Sequence, residues 1–343
     1  MMRVIFLLTL LASCDEVTVT AAKRKKLVWP FDASSIWNTP IGTGARYVPA
    51  ELKAVQTSAL SSSFLITTSA TDPLRPLVRP VSSADRCGGM EVIDMIRIPD
   101  LFVLAAGQNA DPGNSAAIVQ PDGHSLVEIS GFGRCEPGGA VVGYRYPDSD
   151  LLRDGRQGGQ GGSGLSSLGG ALVPGELLGP VPVRHALKVA LSSALYYFAD
   201  PSRPESCFRW PADRCDAGFA ALGEAGYHGG NPALTMGALL AIPANTSESS
   251  VALETDVGRA MFFTLQNYGA YVVGSAGTDW AIWGARDDAR VLFLNALGAD
   301  GRAAWARDVN RLLPLLAVVD NNAPDAVGGG GVPRQPVAPP LAD

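Results

Sequence analysis

The chain has 343 residues, of which 47% are hydrophobic and 17% are charged, so it can bury a large core and is too apolar to be intrinsically disordered. Its 27 basic and 33 acidic residues give a formal charge of -6. The basic residues are scattered apart from the run Lys23–Lys26, which argues against a nucleic-acid partner, because such a partner needs a basic stripe on the folded domain.

The N-terminus has the residue order of a bacterial lipoprotein signal. Arg3 precedes the apolar run Val4–Leu11, and small residues then precede Cys14. Small side chains before a cysteine suit a signal peptidase, and the cysteine thiol is the group that becomes acylated. An ordinary secretory signal cleaved near Ala21–Ala22 is the alternative. In either case we expect an extracytoplasmic protein, anchored to the cell envelope by lipid on Cys14 in the first case and secreted in the second.

The sequence predicts four consecutive segments. They are a signal peptide at 1–13, a basic tether at 14–26, one globular domain at 27–320 and a Gly/Pro-rich tail at 321–343. The middle of the chain has no polar linker, which favours a single domain. The basic run is expected to be solvated, or to lie near anionic lipid headgroups at ~1 kcal/mol per side chain if Cys14 is acylated. The tail is too rich in glycine and proline for regular structure.

Apart from Cys14, the cysteines are even in number, as expected of an exported protein with disulfide bonds. Cys207 and Cys215 bracket a short segment of turn-compatible residues, so we expect them to pair. By elimination, Cys87 then pairs with Cys135. Four free buried thiols are the alternative.

The first half of the domain has the pattern of a mainly-β fold. Residues 27–48 combine aromatics and prolines, which predicts an extended entry segment docked on the core. Pro49–Leu60 predicts a short helix with Pro49 in its first turn. Beyond residue 63, short apolar runs alternate with turn residues, which is typical of an antiparallel β-sandwich or jelly-roll-like domain with a few peripheral helices. These runs are Phe64–Ile66, Val92–Ile93, Leu101–Leu104, Ala117–Val119, Leu126–Ile129 and Val141–Val142.

The second half mixes strands with helices. The glycine-rich stretch 155–170 lacks the Gly-Lys-Ser/Thr ending of a phosphate loop, so we expect a long loop that either grips a ligand or crosses a crowded sheet edge. Residues 181–198 predict a buried central strand. Thr255 can cap an amphipathic helix that has Asp256 in its first turn. Further strands are expected within 231–242, at Tyr271–Val273 and at Trp280–Trp283, and a late helix within Asp300–Leu316.

Several motifs follow one another along the chain, namely Trp37–Gly42 (WNTPIG), Gly162–Gly170 (GSGLSSLGG), Arg184–Lys188 (RHALK), Leu265–Val273 (LQNYGAYVV) and Gly328–Arg334 (GGGGVPR). In these motifs the chain resembles a set of secreted bacterial proteins of actinobacterial type. The resemblance covers nearly the whole mature chain and implies export, but it carries no activity over. A looser resemblance to secreted all-β proteins that act on or bind polysaccharide implies a glycan partner.

Three side chains are predicted to be catalytic. His185 lies in a predicted strand, and an ordinary histidine titrates near pH 6.5, which suits a proton shuttle. Glu128 is the polar residue of an apolar strand, where a carboxylate needs a partner. It is therefore either a site residue or one half of a structural ion pair with an arginine such as Arg134. Tyr271 can act as the base of a lyase or stack on a sugar ring.

Five side chains are predicted to bind the substrate. Arg184 and Lys188 flank the candidate histidine, and their charges can neutralise a uronate carboxylate. Asp122 and His124 occupy a turn at a strand end, from which side chains can reach a ligand. Tyr268 can stack on a sugar.

The sequence therefore predicts a cell-envelope protein that acts on a polysaccharide as a lyase or a glycoside hydrolase, without a cofactor. A metal site is not expected, because the histidines lack metal-ligand spacing. The alternative is a non-catalytic glycan-binding or surface-structural lipoprotein. A serine hydrolase using Ser163 would need a base within reach, since Gly162–Gly164 does not match a nucleophile elbow.

Overall fold

Strands make up 29% of the fold and helices 21%, which confirms the mainly-β prediction. The structure is a computed structural model that describes residues 23–82, 86–88, 91–109, 111, 113–180 and 182–342. The predicted signal peptide, the predicted acylation site Cys14 and the tether up to residue 22 lie outside the described residues. Within the described part of the chain, no helix is both long and apolar enough to cross a membrane.

The described residues form fourteen strands and four α-helices. The strands are β1 Tyr47–Pro49, β2 Thr57–Thr67, β3 Leu74–Arg79, β4 Glu91–Arg97, β5 Ser115–Val119, β6 Ser125–Gly133, β7 Val141–Arg145, β8 Ser149–Asp150, β9 Gln157–Gln160, β10 Leu187–Ser192, β11 Leu239–Ala241, β12 Ala270–Ala276, β13 Trp280–Arg286 and β14 Ala317–Val319. The helices are α1 Ala106–Asn109, α2 Ser193–Tyr196, α3 Asp256–Asn267 and α4 Asp287–Leu312.

One mixed sheet of thirteen strands runs through the molecule in the order β1-β14-β11-β12-β10-β13-β2-β5-β6-β7-β3-β4, with β8 beside β6. Four neighbouring pairs are parallel, namely β10 with β12, β13 with β2, β2 with β5 and β3 with β7. The expected antiparallel sandwich or jelly-roll arrangement is therefore not confirmed in detail, because the sheet is mixed. Apolar alternation along a strand determines which face is buried, but it does not determine the direction of the strand's neighbour.

The two faces of the sheet carry different chemistry. Leu187, Val189 and Leu191 of β10 point into the largest core, which α3 and α4 cover. The residue between the first two, Lys188, points to the opposite face. There an apolar cluster around Trp37 occupies one part of the sheet, and the glycine-rich segment lies beside it. This second face carries the candidate site.

Several predicted elements are confirmed. Thr255 Oγ1 accepts a hydrogen bond from the Gly258 backbone N–H at 2.9 Å and begins α3 as expected. The strands predicted around Tyr271 and Trp280 are β12 and β13. The late helix, α4, begins at Asp287, well before the predicted start at Asp300. Gly298, with a non-helical φ of 61°, interrupts it just before the predicted part.

Other predicted elements are wrong. Pro49–Leu60 is not a helix: Pro49 ends β1 and Thr57 begins β2. Leu101–Leu104 is irregular, and Leu101 is 88% exposed. In segments this short, the apolar pattern does not distinguish helix, strand and irregular backbone, so tertiary contacts decide which one forms.

The two predicted disulfide pairs are present. Cys87 bonds to Cys135 and Cys207 bonds to Cys215, each with Cα atoms 5.9 Å apart. The first joins distant segments, whereas the second closes a short loop. Two disulfide bonds fit an oxidising, extracytoplasmic environment.

The basic run is not simply a solvated tether, because Arg24 is buried with 4% exposure. Its guanidinium donates hydrogen bonds to the carbonyls of Trp29, Pro30, Phe31 and Pro339. Arg24 also pairs with the tail, because its backbone N–H donates to the Pro340 carbonyl at 2.9 Å. One arginine thus fastens both ends of the described chain to the domain.

The substitution Arg24→Ala is expected to lower the free energy of unfolding by about 2 kcal/mol or more, since a hydrogen bond to a charged donor contributes roughly 1.5–3 kcal/mol. Urea denaturation measures the loss. Lys25→Ala is the matched control, because the neighbouring Lys25 side chain is exposed. Equal effects of the two substitutions would show that the contacts of Arg24 add no stability.

Candidate functional site

An open cleft of about 560 Å³ lies on the second face of the sheet. Its floor consists of side chains from the central strands, and its walls come from the glycine-rich segment, from β12 and from α4. The residues that line it are Ala59, Leu60, Ser61, Asp111, Gly113, Ser130, Gln160, Gly161, Gly162, Ala190, Asp216, Gly274, Ser275, Trp280, Ile282 and Arg290. The volume falls in the range of about 300–1,000 Å³ that is usual for ligand sites.

The polar side chains of the cleft are held in place by their neighbours. Asp216 accepts hydrogen bonds from the hydroxyls of Tyr227 and Ser275. Arg290 reaches the cleft from α4, and its Nε donates to the Leu60 carbonyl at 3.1 Å. Trp280, at the start of β13, keeps 42% of its surface exposed. The cleft therefore offers a fixed carboxylate, a cation and an aromatic surface.

The glycine-rich segment is held against the sheet by Glu128, which is fully buried on β6. Its carboxylate accepts hydrogen bonds from the backbone N–H groups of Gly159 and Ser167, both at 3.0 Å. The hydroxyls of Ser149 and Ser166 donate to its Oε1 at 2.8 and 3.2 Å. Four donors around one carboxylate compensate for its loss of water.

Glycine is required in this segment because the backbone lies so close to Glu128. A Cβ atom on Gly158 would lie 2.6 Å from the Glu128 Cδ. No side chain fits there without moving the segment off the sheet. The expected crowded crossing applies at Gly158, whereas the ligand-gripping loop stays a prediction for Gln160 and Gly161, which line the cleft.

Lys188 lies beneath this segment and is 1% exposed. Its Nζ lies 2.9 Å from the Ser63 Oγ, and it donates to the Gln160 Oε1 at 2.9 Å and to the Ser167 carbonyl at 2.6 Å. Burial lowers the pKa of Lys188 to about 7, although the negative charge of Glu128 opposes the shift. Lys188 and Glu128 are thus two predicted site residues that the fold brings together.

His185 lies apart from the cleft, next to a small cavity that Trp37 and the entry segment also line. Its Nε2 is 3.1 Å from the Glu176 Oε2, and its Nδ1 is 2.9 Å from the Ala186 carbonyl. Burial alone lowers the pKa of His185, but the charge of Glu176 and these hydrogen bonds outweigh burial and leave it raised. The predicted catalytic trio of His185, Glu128 and Tyr271 therefore does not converge in one cleft.

The two predicted tyrosines are buried. Tyr271 is 1% exposed, and its ring packs edge-on against Trp37 with centroids 5.4 Å apart. Burial raises the pKa of Tyr271 far above its ordinary value, so it stays protonated at neutral pH. Burial also raises the pKa of Tyr268 to about 12, while the charge of Arg184 opposes the shift. Neither ring presents a face to the cleft.

Asp122 and His124 shape the turn before β6. The Asp122 carboxylate accepts from the Ser125 hydroxyl and from the backbone N–H groups of His124 and Ser125, which lowers its pKa to about 2. The His124 Nδ1 lies 3.0 Å from the Asp150 Oδ2. Ser130, which lines the cleft, comes six residues after His124, and six residues of an extended strand span about 20 Å. The turn of Asp122 and His124 is therefore remote from the cleft.

Two further alternatives are resolved by the contacts. The carboxylate within 4 Å of Arg134 is that of Asp100, at 3.8 Å, so Glu128 is not its ion-pair partner. Ser163 donates its hydroxyl proton to the Gln160 carbonyl at 3.1 Å. Among the described residues, no histidine or lysine contacts the Ser163 hydroxyl.

Sequence reasoning missed Ser63, Gln160, Asp216 and Arg290. Trp280 was predicted only as the first residue of a strand. Acids and serines are common, so only their spatial convergence distinguishes them. The one signal in the sequence was the serine run on β2, which is unusually polar for a central strand.

Among the described residues, no group of three or more His, Cys, Asp or Glu side chains is placed to hold a metal ion. Comparisons with protein families, with curated proteins and with solved structures find no significant match to this chain. The cleft therefore has to be interpreted from its own chemistry.

The substitution Glu128→Gln is expected to lower the free energy of unfolding by about 2 kcal/mol, because buried donors lose a charged acceptor. The glycine-rich segment should also become sensitive to proteolysis. Urea denaturation and mass mapping of the cleavage sites measure both effects. Glu136→Gln, at an exposed glutamate, is the control. A Glu128→Gln protein as stable and protease-resistant as the wild type would contradict this role.

The His185–Glu176 pair gives a pH prediction. Because the pKa of His185 is raised in the fold, its pair stabilises the protein fully below the ordinary histidine value of 6.5. This stabilisation is lost as the pH rises through the raised value. In Glu176→Gln only burial remains as the main influence, so the pKa of His185 should fall below that of the wild type. An NMR titration of His185 measures the shift, and an unchanged midpoint would refute it.

Proposed function

We propose that the protein binds a polysaccharide in the cleft and hydrolyses it there. The observation that carries this proposal is the combination of an exposed tryptophan, Trp280, with two carboxylates, Asp111 and Asp216, in one open cleft. The apolar face of a sugar ring stacks on an indole, and sugar hydroxyls bond to carboxylates. Such a mixture of aromatic and polar groups is usual in ligand clefts.

Hydrolysis is favoured over a lyase reaction by the position of the titratable groups. A glycoside hydrolase uses two carboxyl groups on opposite sides of the scissile bond, one as acid and one as base or nucleophile. Asp111 and Asp216 come from separate loops and line the same cleft. The candidate lyase base, His185, is engaged with Glu176 outside the cleft.

Arg290 adds a preference within this class. It carries a fixed positive charge on the wall of the cleft, and a guanidinium can bind a carboxylate with two parallel hydrogen bonds. Its Nε is used by the Leu60 carbonyl, so the terminal nitrogens are the ones available for a ligand. We therefore expect acidic glycans to bind more tightly than neutral ones.

The substitution Trp280→Ala is expected to weaken polysaccharide binding by about fivefold, because stacking on an aromatic ring contributes on the order of 1 kcal/mol. Asp216→Asn should abolish the release of reducing ends while leaving binding. Titration calorimetry and a reducing-end assay on neutral and uronate polymers measure these effects. The control is Leu101→Ala, an exposed apolar side chain outside the cleft.

The outcomes separate the parts of the proposal. No binding to any polymer, or binding that Trp280→Ala leaves intact, would refute the cleft as a glycan site. Binding that depends on Trp280, with no new reducing ends, would refute hydrolysis and leave a glycan-binding protein.

A further inference from the structure

A lysine without an ion-pair partner lies directly behind the cleft. The hydrogen-bond partners of the Lys188 Nζ among the described residues are a hydroxyl, an amide oxygen and a backbone carbonyl, none of them a carboxylate, and the side chain is 1% exposed. A buried ammonium without an ion-pair partner is costly, and the usual response of a protein is to favour the neutral amine. The surroundings of Lys188 suit that neutral form.

The three partners of Lys188 match the valences of a neutral amine. A neutral amine has two N–H donors and one lone pair. The Gln160 Oε1 and the Ser167 carbonyl can only accept, so they take the two donors. The Ser63 hydroxyl, 2.9 Å from Nζ, is the partner able to donate a proton to the lone pair. This arrangement of a serine hydroxyl on an unprotonated lysine is the one that nucleophilic catalysis uses.

The serine is continuous with the cleft. Ser63 stands opposite Ser115, and Ser115 opposite Ser130, in one row across β2, β5 and β6. Ser130 lines the cleft, and so does Ser61, which lies two residues before Ser63 on the same face of β2. Ser63 itself is 2% exposed.

Gln160 separates the pair from the cleft. It lines the cleft with a partly exposed side chain, and its Oε1 accepts from Lys188. Rotation of this one side chain would open the space between the cleft and Ser63. Gly284 allows the lysine to lie flat on the sheet, because a Cβ there would be 2.2 Å from the Lys188 Cε.

We propose that Ser63 and Lys188 form a serine–lysine catalytic pair that hydrolyses carboxylic esters entering from the cleft when Gln160 moves aside. The Ser63 Oγ attacks the acyl carbon, and its proton passes to the Lys188 Nζ. The ester C–O bond breaks, and the leaving alcohol takes that proton. Water then attacks the acyl-serine, its proton passes to Lys188, and the released Ser63 oxygen takes the proton back. This activity does not depend on the glycan hydrolysis proposed above.

The charged and titratable groups around Lys188 are few. Those on the two neighbouring strands are Tyr271 on β12 and Arg286 on β13, and Arg286 is ion-paired with Asp288. Glu128 on β6 acts on Lys188 from further along the sheet. The overlying residues 157–170 contain no titratable side chain. The ester hydrolysis rate should therefore rise tenfold per pH unit below the Lys188 pKa of about 7 and level off above it.

The test uses p-nitrophenyl acetate and diisopropyl fluorophosphate, with peptide mass spectrometry to locate the phosphoryl adduct. We expect the adduct on Ser63, and Ser63→Ala should lower ester hydrolysis by at least 100-fold. Gln160→Ala should speed both reactions. Ser62→Ala is the matched control, because Ser62 is similarly buried on β2 but its hydroxyl donates to Asp287, and it should keep the activity.

Lys188→Met should lose the adduct on Ser63. If that variant does not fold, the pH profile of Ser63 labelling in the wild type decides instead, and a rate independent of pH around 7 would overturn the proposal. Absence of labelling in both the wild type and Gln160→Ala, or an adduct on another serine such as Ser163, would also overturn it. Polysaccharide binding that persists in Ser63→Ala shows that the two proposals stand or fall separately.

Discussion

The buried carboxylate of Glu128 holds together the part of the molecule in which the candidate chemistry lies. It accepts hydrogen bonds from the backbone N–H groups of Gly159 and Ser167 in the glycine-rich segment and from two serine hydroxyls. A buried carboxylate needs such donors, and a segment without side chains at the contact can supply them at close range. The position of that segment in turn covers Lys188 and forms one wall of the cleft.

Because the glycine-rich segment covers only part of the second face of the sheet, that face passes from an apolar region to a buried polar region and then to an open cleft. An apolar cluster around Trp37 and Tyr271 occupies one part and excludes water. The covered lysine and the serines follow, and the open cleft with Trp280 lies beyond them. Lys188 is therefore close enough to the cleft to act there, yet shielded enough for its protonation to be governed by the protein.

Reasoning from the sequence selected Glu128 because a charged residue within an apolar strand must have partners in the fold, and it selected Lys188 because it lies beside the predicted histidine. The same argument selected His185, whose partner is Glu176 rather than a substrate-facing group. It could not find Asp216 or Ser63, because neither residue type is unusual at its position. The position of Ser63 depends on parallel pairing between β2 and β13, which joins segments more than 200 residues apart. The position of Asp216 depends on its hydrogen bond from Ser275 of β12, which is also distant in sequence.

The sequence by itself determined the mainly-β composition, the cap at Thr255 and the pairing of Cys207 with Cys215, because each of these depends on local pattern and spacing. The tertiary structure alone decided the mixed strand order, the docking of Arg24 on the tail and the meeting of Ser63 with Lys188. These depend on which distant segments become neighbours. That choice minimises the free energy of the whole chain and is not encoded in any short stretch of it.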